Sequence, residues 1–334
     1  MDSLTQIVLG ASVGEVVLGK KIGNKAMLYG AIAGTIPDLD TFVGYFTDTI
    51  TAIEIHRGFS HSIVFSILFA PIFGWLISKI ERKSEANWKD WSKLMFWGLV
   101  THPLLDAHTT WGTQLFWPLD LRLAYKNIFV IDPLYTLPFL VFLILAMRKK
   151  RTSPERRKLN YWGLRVSSFY LLVVTLLLKG YTFGKFTDSL DNQEISYEDI
   201  ETKPAPLNTI LWTANVKLED RFLIGDYSIF DTKPVQYYEY PKNHHLLGDL
   251  KDDENVQRLI DISNGWYTIS EKNGKLFFND LRFGTLEPAS NDENFVFSYE
   301  LIPENGTISA REVEKGRGDA KKLLADLGNR ILGN

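Results

Sequence analysis

The chain has 334 residues, no cysteine and a formal net charge of −3. Lack of thiols rules out disulfides and thiolate metal ligands. The small net charge, with no face of Lys and Arg interleaved with aromatics, excludes nucleic acid as a partner. Whole-chain hydropathy lies near zero, as in a soluble protein, but that average combines an apolar first half with a polar second half.

In chain order, residues 1–5 are acidic and polar. They lack the basic start of a signal peptide, so the apolar segments are expected to stay in the mature chain. Residues 4–18 and 26–36 are short runs rich in Gly and Ala. They read as tightly packed spans or as half-spans, because small residues let helix backbones approach closely in lipid. Long runs almost without charge follow at 62–78, 134–147 and 166–178. A further run, 94–105, contains His102 and is followed by Asp106. A span needs roughly 17–25 mostly apolar residues, a length these runs approach with their flanking Trp, Tyr, Lys and Arg. The basic loops 20–25, 79–93 and 148–158 are expected on the cytoplasmic side, which puts the amino terminus and everything after residue 180 outside.

Beyond residue 206 the pattern changes to Val, Ile, Phe, Tyr and Thr in short runs, at 209–218, 221–230, 235–240, 266–270, 275–279 and 294–301. Such runs read as antiparallel strands, and Asn273-Gly274 as a two-residue hairpin turn in which both residues take positive φ. Residues 255–262 and 320–332 read as helices, and His244 and His245 as solvent-exposed rather than ligating. The expected architecture is an α-helical polytopic membrane domain over 1–180, with about five to six spans, a linker at 181–206, and a mainly antiparallel β extracytoplasmic domain over 207–334.

Four of the six histidines lie in the apolar half, in two motifs, HRGFSHS at 56–62 and HPLLDAH at 102–108. A third motif, IPDLD at 36–40, supplies two carboxylates. Imidazole and carboxylate are ligands of hydrolytic zinc or manganese sites, and the assumed topology brings all three motifs to the outer side. Asp38 and Asp40 follow Pro37 into a turn, where one can bind metal while the other orients a neighbour, or both merely punctuate a helix end. His56 and His61 flank Gly58, and Ser60 reads as the cap of a helix starting near His61. Arg57 is an electrostatic group for an anionic substrate. His102 and Asp106 are four apart and share a helical face, a usual way to present two ligands to one ion, and His108 follows at the helix end as a further candidate ligand beside Asp38, Asp40, His56 and His61. Ionisable groups within an apolar span are costly and normally functional. Glu15 reads equally as a site residue or as a polar contact between helices.

The runs PDLD, HRGFSHS and GLVTHPLLDAHTTWGTQLFWP resemble the YdjM-type family of bacterial inner-membrane proteins, described as metal-dependent hydrolases. The resemblance covers roughly residues 1–145. More distantly, His-x-x-x-Asp followed by His is similar to the zinc site of the phospholipase C and P1 nuclease superfamily. The family resemblance implies a divalent metal, zinc or manganese, with matching positions Asp38, Asp40, His56, Arg57, His61, His102 and Asp106. Where members often carry histidines, this chain has Gln6 and Thr41. The expected function is hydrolysis of an ester or phosphoester, such as a phospholipid, at the outer membrane surface, with Asp38 or Asp40 as base and Arg57 stabilising negative charge. Membrane lipid is the expected partner. The competing expectations are a transporter, whose polar groups would be spread through the depth of the spans, and a binding protein braced by an idle metal.

Overall fold

The computed structural model describes residues 1–286, 294–304, 306–314 and 320–334. Two compact units emerge. The first comprises Met1–Val43, Ile55–Leu177 and Pro206–Asn208, and the second Gly44–Glu54, Leu178–Ala205 and Thr209–Asn334.

The first unit begins with α1 (Ser3–Gly14), capped by the Asp2 carboxylate, which accepts from Thr5 N. One π turn (Glu15–Gly19) joins it to α2 (Lys20–Ile22), and Gly23 at φ 64° turns the chain into α3 (Asn24–Thr35). Helices α1 and α3 pack backbone to backbone. A Cβ added to Gly10 would lie 2.3 Å from the Gly30 carbonyl oxygen, and one added to Gly30 would lie 2.2 Å from that of Gly10. Only hydrogen at these positions permits the approach. A 3-10 segment (Pro37–Tyr45), α4 (Thr49–Ile55) and a short 3-10 turn (Phe59–His61) carry the first two motifs. Then come α5 (Ile63–Ile80), capped by Ser62, and α6 (Trp88–Asp106), opened by an Asn87 and Asp90 capping box. The caps of α7 (Pro133–Met147) and α8 (Pro154–Phe169) are Asp132 and Ser153. A second π turn (Tyr170–Val174) extends α8 into α9 (Thr175–Asn192).

This unit exposes apolar side chains and buries polar ones within its apolar core. Ile67, Leu68, Ile72, Trp75, Leu137, Val141, Leu172 and Leu177 are exposed, while Gln6, Ser12, Glu15, Asn160 and Arg156 are buried. Two helices, Ile63–Ile80 and Pro154–Asn192, are long and apolar enough to cross a membrane, and Pro133–Met147 is apolar but shorter. The expectation of five to six spans is therefore met by two among the described residues. The others fall short for physical reasons: α1 and α3 are 12 residues each, and α6 carries Lys89, Asp90, Lys93, His102 and Asp106.

The basic loops meet one another. Lys21 pairs with Asp90, Lys25 with Glu81, and Arg151 with Glu85 and the Lys21 carbonyl. Polar groups are not confined to the opposite end, as the sequence suggested. Ser12 and Asn160 bond to each other by 2.8 and 3.0 Å contacts, and Arg156 grips Glu15 by two 2.6 Å bonds. Each pair joins helices, so Glu15 serves as a helix contact.

In the second unit, two antiparallel sheets form. The first contains β1 (Asp199–Pro204), β2 (Leu211–Lys217), β3 (Arg221–Ser228) and β4 (Tyr237–Pro241) in chain order. The second contains β5 (Tyr267–Lys272), β6 (Lys275–Thr285), β7 (Phe295–Glu304) and β8 (Thr307–Glu312), also in chain order. Asn273 and Gly274 adopt φ of 56° and 71°, as the hairpin required. Helices α10 (Glu254–Ile262) and α11 (Ala320–Ile331) complete it. The stretch 181–206, expected as a linker, is helical to Asn192 and then forms β1. As an edge strand, β1 tolerates the charges and Pro204 that disguised it. His245 is exposed, but His244 is half-buried, stacked at 4.0 Å on the Tyr267 ring with Nε2 bonded to the Tyr267 carbonyl.

Candidate metal centre

Four side chains converge where α1, α3, α6 and the 3-10 turns meet. His102 and Asp106 come from the last turns of α6, where the i, i+4 spacing places both on one face. Asp38 comes from the 3-10 segment after α3, and His61 ends the turn before α5. One ligand atom from each lies within 4.8 Å of all the others. Nε2 of His61 is 3.1 Å from Nε2 of His102. Asp38 Oδ1 stands 3.4 and 3.3 Å from these two nitrogens, and Asp106 Oδ2 3.4 and 3.5 Å.

The donor set fits a divalent cation for a reason visible in its hydrogen bonds. His102 Nδ1 donates to the Gly34 carbonyl at 2.6 Å. His61 Nδ1 donates to Ser60 Oγ at 2.9 Å, because the Ser60 hydroxyl gives its own proton to Asp40 Oδ2 at 2.8 Å. With both Nδ1 atoms protonated, neutral rings would present two lone pairs to each other across 3.1 Å. A proton on His61 Nε2 or a metal cation between the rings relieves that contact, and the two compete for the same place. Asp106 Oδ2 is buried, with Arg57 Nε at 3.2 Å and the two histidine Nε2 atoms as its neighbours, and it faces the same point. A tetrahedral zinc site with bonds of about 2.0–2.1 Å separates its ligand atoms by about 3.3–3.4 Å, close to all five distances.

Around the four, a second layer fixes their orientation. Asp40 does not join the cluster. Its Oδ1 meets His56 Nδ1 at 3.0 Å, and its Oδ2 accepts from Arg57 N at 2.9 Å and from Ser60. Arg57, at φ 60°, holds the left-handed backbone that turns its N–H toward Asp40. Its guanidinium is buried, with Nη1 donating to Thr109 Oγ1 at 2.8 Å and Nε 3.2 Å from Asp106 Oδ2. Gln6 donates to Asp106 Oδ1 at 2.9 Å. The Met1 amino group meets the same oxygen.

Seven positions were expected as ligands, and the structure brings together Asp38, His61, His102 and Asp106. Asp40 and His56 pair with each other beside the cluster, and His56 packs its ring against Trp111 at 5.6 Å. His108 turns away, bonded through Nδ1 to Asn127 Oδ1 at 2.8 Å, and burial lowers its pKa. Ser60 does not cap a helix, because Ser62 caps α5 and leaves Ser60 free to link Asp40 with His61. The Gly34 carbonyl and Thr109 carried no signal, since a backbone acceptor and a lone hydroxyl look the same anywhere in a sequence.

Burial disfavours charge on His61, but hydrogen bonds to Asp106, Asp38 and Asp40 outweigh it and raise the ring to about 9. Burial likewise opposes ionisation of Asp38, and contacts with His102 and His61 hold its carboxyl well below the usual range. A cation entering at pH 7 therefore displaces a proton from His61. Affinity is expected to rise about tenfold per pH unit from pH 7 and to level off above the His61 value. Titration calorimetry with Mn²⁺ in buffers of different ionisation enthalpy should record one proton released per ion at pH 7. Equal affinities at pH 7 and pH 8 would mean that His61 is already neutral at pH 7 and that its carboxylate neighbours do not raise it.

Residues 1–181 match the YdjM inner membrane protein family. No curated protein and no solved structure matches the chain.

Proposed function

Because this chain belongs to the YdjM inner membrane protein family, we propose that it is a membrane-embedded, metal-dependent hydrolase acting on an ester or phosphoester of an amphiphile at the outer membrane surface. The observation that carries this reading is the convergence of four ligand atoms whose partners leave their lone pairs aimed at one point. The apolar exterior of the helical unit supports embedding, with the mutually paired basic loops on the cytoplasmic side and the cluster on the other. The β-rich unit then lies outside.

Asp38, His61, His102 and Asp106 would hold the cation. A divalent ion there supplies Lewis acidity, polarising a carbonyl or phosphoryl oxygen and acidifying water. The chain's own residues do the rest. Asp38 has a side chain 27% exposed while the other three are at 0%, so substrate approaches from its side. Exposed Leu39 and Phe42, close to Asp38 in the same 3-10 segment, suit an acyl chain beside a polar headgroup. Arg57 lies too deep to clasp substrate, and it balances the charge of Asp106. Asp40 is occupied by its donors, so the proton passes through His56, which Asp40 braces and whose side chain is 25% exposed.

Purified protein reloaded with Zn²⁺ or Mn²⁺ is expected to hydrolyse a phospholipid in mixed micelles faster than a soluble phosphate ester, and to stop on chelation. Turnover of the soluble ester alone would overturn the amphiphile assignment. Stoichiometric cation with no hydrolysis of either would favour the metal-braced binding protein.

A further inference from the structure

Residues 44–54 belong to the second unit, although the segments before and after them belong to the first. This excursion leaves immediately after Asp38 and Asp40 and returns immediately before His56, Arg57 and His61. Its neck is closed by the Asp40 contacts with His56 and Arg57 N, at 3.0 and 2.9 Å across 16 and 17 residues. The neck is thus the same layer that orients His61.

Within the second unit the excursion is held hard. Ile50 is 1% exposed, in a core with Leu247, Val256, Leu259, Ile269 and Phe278. Arg258 of α10 clamps Glu54 with two bonds, Nε to Oε1 at 2.9 Å and Nη2 to Oε2 at 2.6 Å, and Nη2 also donates to Thr51 Oγ1 at 3.0 Å. Helix α4 runs from Thr49 to Ile55, so the gripped segment is helical up to the residue before His56. On the other side, the 3-10 segment Pro37–Tyr45 carries both aspartates up to the excursion. A short rigid helix transmits position, whereas a loose loop would absorb it.

We propose that the β-rich unit sets the geometry of the cation centre through residues 44–54, with Ile50, Glu54 and Arg258 acting as positioning residues. The proposal rests on the metal-centre reading above. None of these three side chains belongs to the ligand cluster or to the layer around it. Their effect runs along the chain to the Asp40 and His56 neck, and from Asp40 through Ser60 to the His61 ring. A partner that reshapes the core around Ile50 would thereby change cation affinity.

The test compares Mn²⁺ affinity of the full-length protein in detergent for wild type, Glu54→Ala, Arg258→Ala and the charge swap Glu54→Arg with Arg258→Glu. Each single variant is expected to weaken binding about tenfold, at the low end of losses from supporting residues, and the swap to recover to within about threefold of wild type. A Gly-Ser-Gly-Ser insertion after Phe46 slackens the excursion without touching the ion pair, and should weaken binding equally. Wild-type affinity in the insertion variant and in both single variants overturns the coupling while leaving the cation centre intact. Wild type that binds no Mn²⁺ overturns the centre and the coupling together.

Discussion

Replacing His61 with alanine is expected to lower cation affinity by more than about 100-fold, beyond the range seen for supporting residues, and to abolish turnover while the helical unit stays folded. The ring is fully buried, and its removal leaves a small cavity. Asp106→Asn should lose the cation as well, since it removes the buried negative charge whose Oδ2 faces both histidine nitrogens. Metal content after chelation and reloading, read beside thermal unfolding in detergent, checks both. In an enzyme the variant loses metal and turnover with little loss of stability. In a protein braced by an idle metal, the unfolding temperature falls sharply toward that of the chelated wild type. A His61→Ala protein that keeps stoichiometric metal would remove the site altogether.

How far the site could be read from the sequence follows from its chemistry. His102 and Asp106 were legible as a pair because helical spacing fixes a common face. His61 and Asp38 were legible only as residue types near the ends of apolar runs. Which of Asp38 and Asp40 enters the cluster depends on the 3-10 backbone after Pro37 and on donors sixteen or more residues away, neither of which a local pattern encodes. The β-rich unit shows the same division. Central strands and the Asn273-Gly274 turn carried their own signals, whereas the edge strand β1, with Glu201, Lys203 and Pro204, resembled a linker. The path of residues 44–54 into the second unit had no sequence signal, because it depends on one buried isoleucine and on an ion pair between residues 204 positions apart.

Arg156→Met should destabilise the helical unit by about 3–5 kcal/mol, because it strands a buried carboxylate. Glu15 and Arg156 have side chains 1% and 2% exposed, and their two 2.6 Å bonds lie at the opposite end of the helices from the cation centre. At about 1.5 Å per residue, Glu15 sits about 13 Å along the helix from Gln6, so its loss should leave cation affinity unchanged. The pair is built into the packing. Glu15 opens the π turn, and a Cβ on Gly19 would fall 2.1 Å from the Glu15 carboxylate, so the glycine makes room for the charge. Arg156 also ties Asn24 Oδ1 and the Lys149 carbonyl, at 2.7 and 3.1 Å, which brings the starts of α3 and α8 together with the end of α7. Replacing both partners, as Glu15→Met with Arg156→Met, removes the stranded charge and should recover most of the loss. Unfolding in detergent across the four proteins of this cycle measures the coupling. A proton or ion pathway through Glu15 predicts the reverse, with the double variant stable but inactive, while a helix lock predicts that it keeps cation binding and turnover.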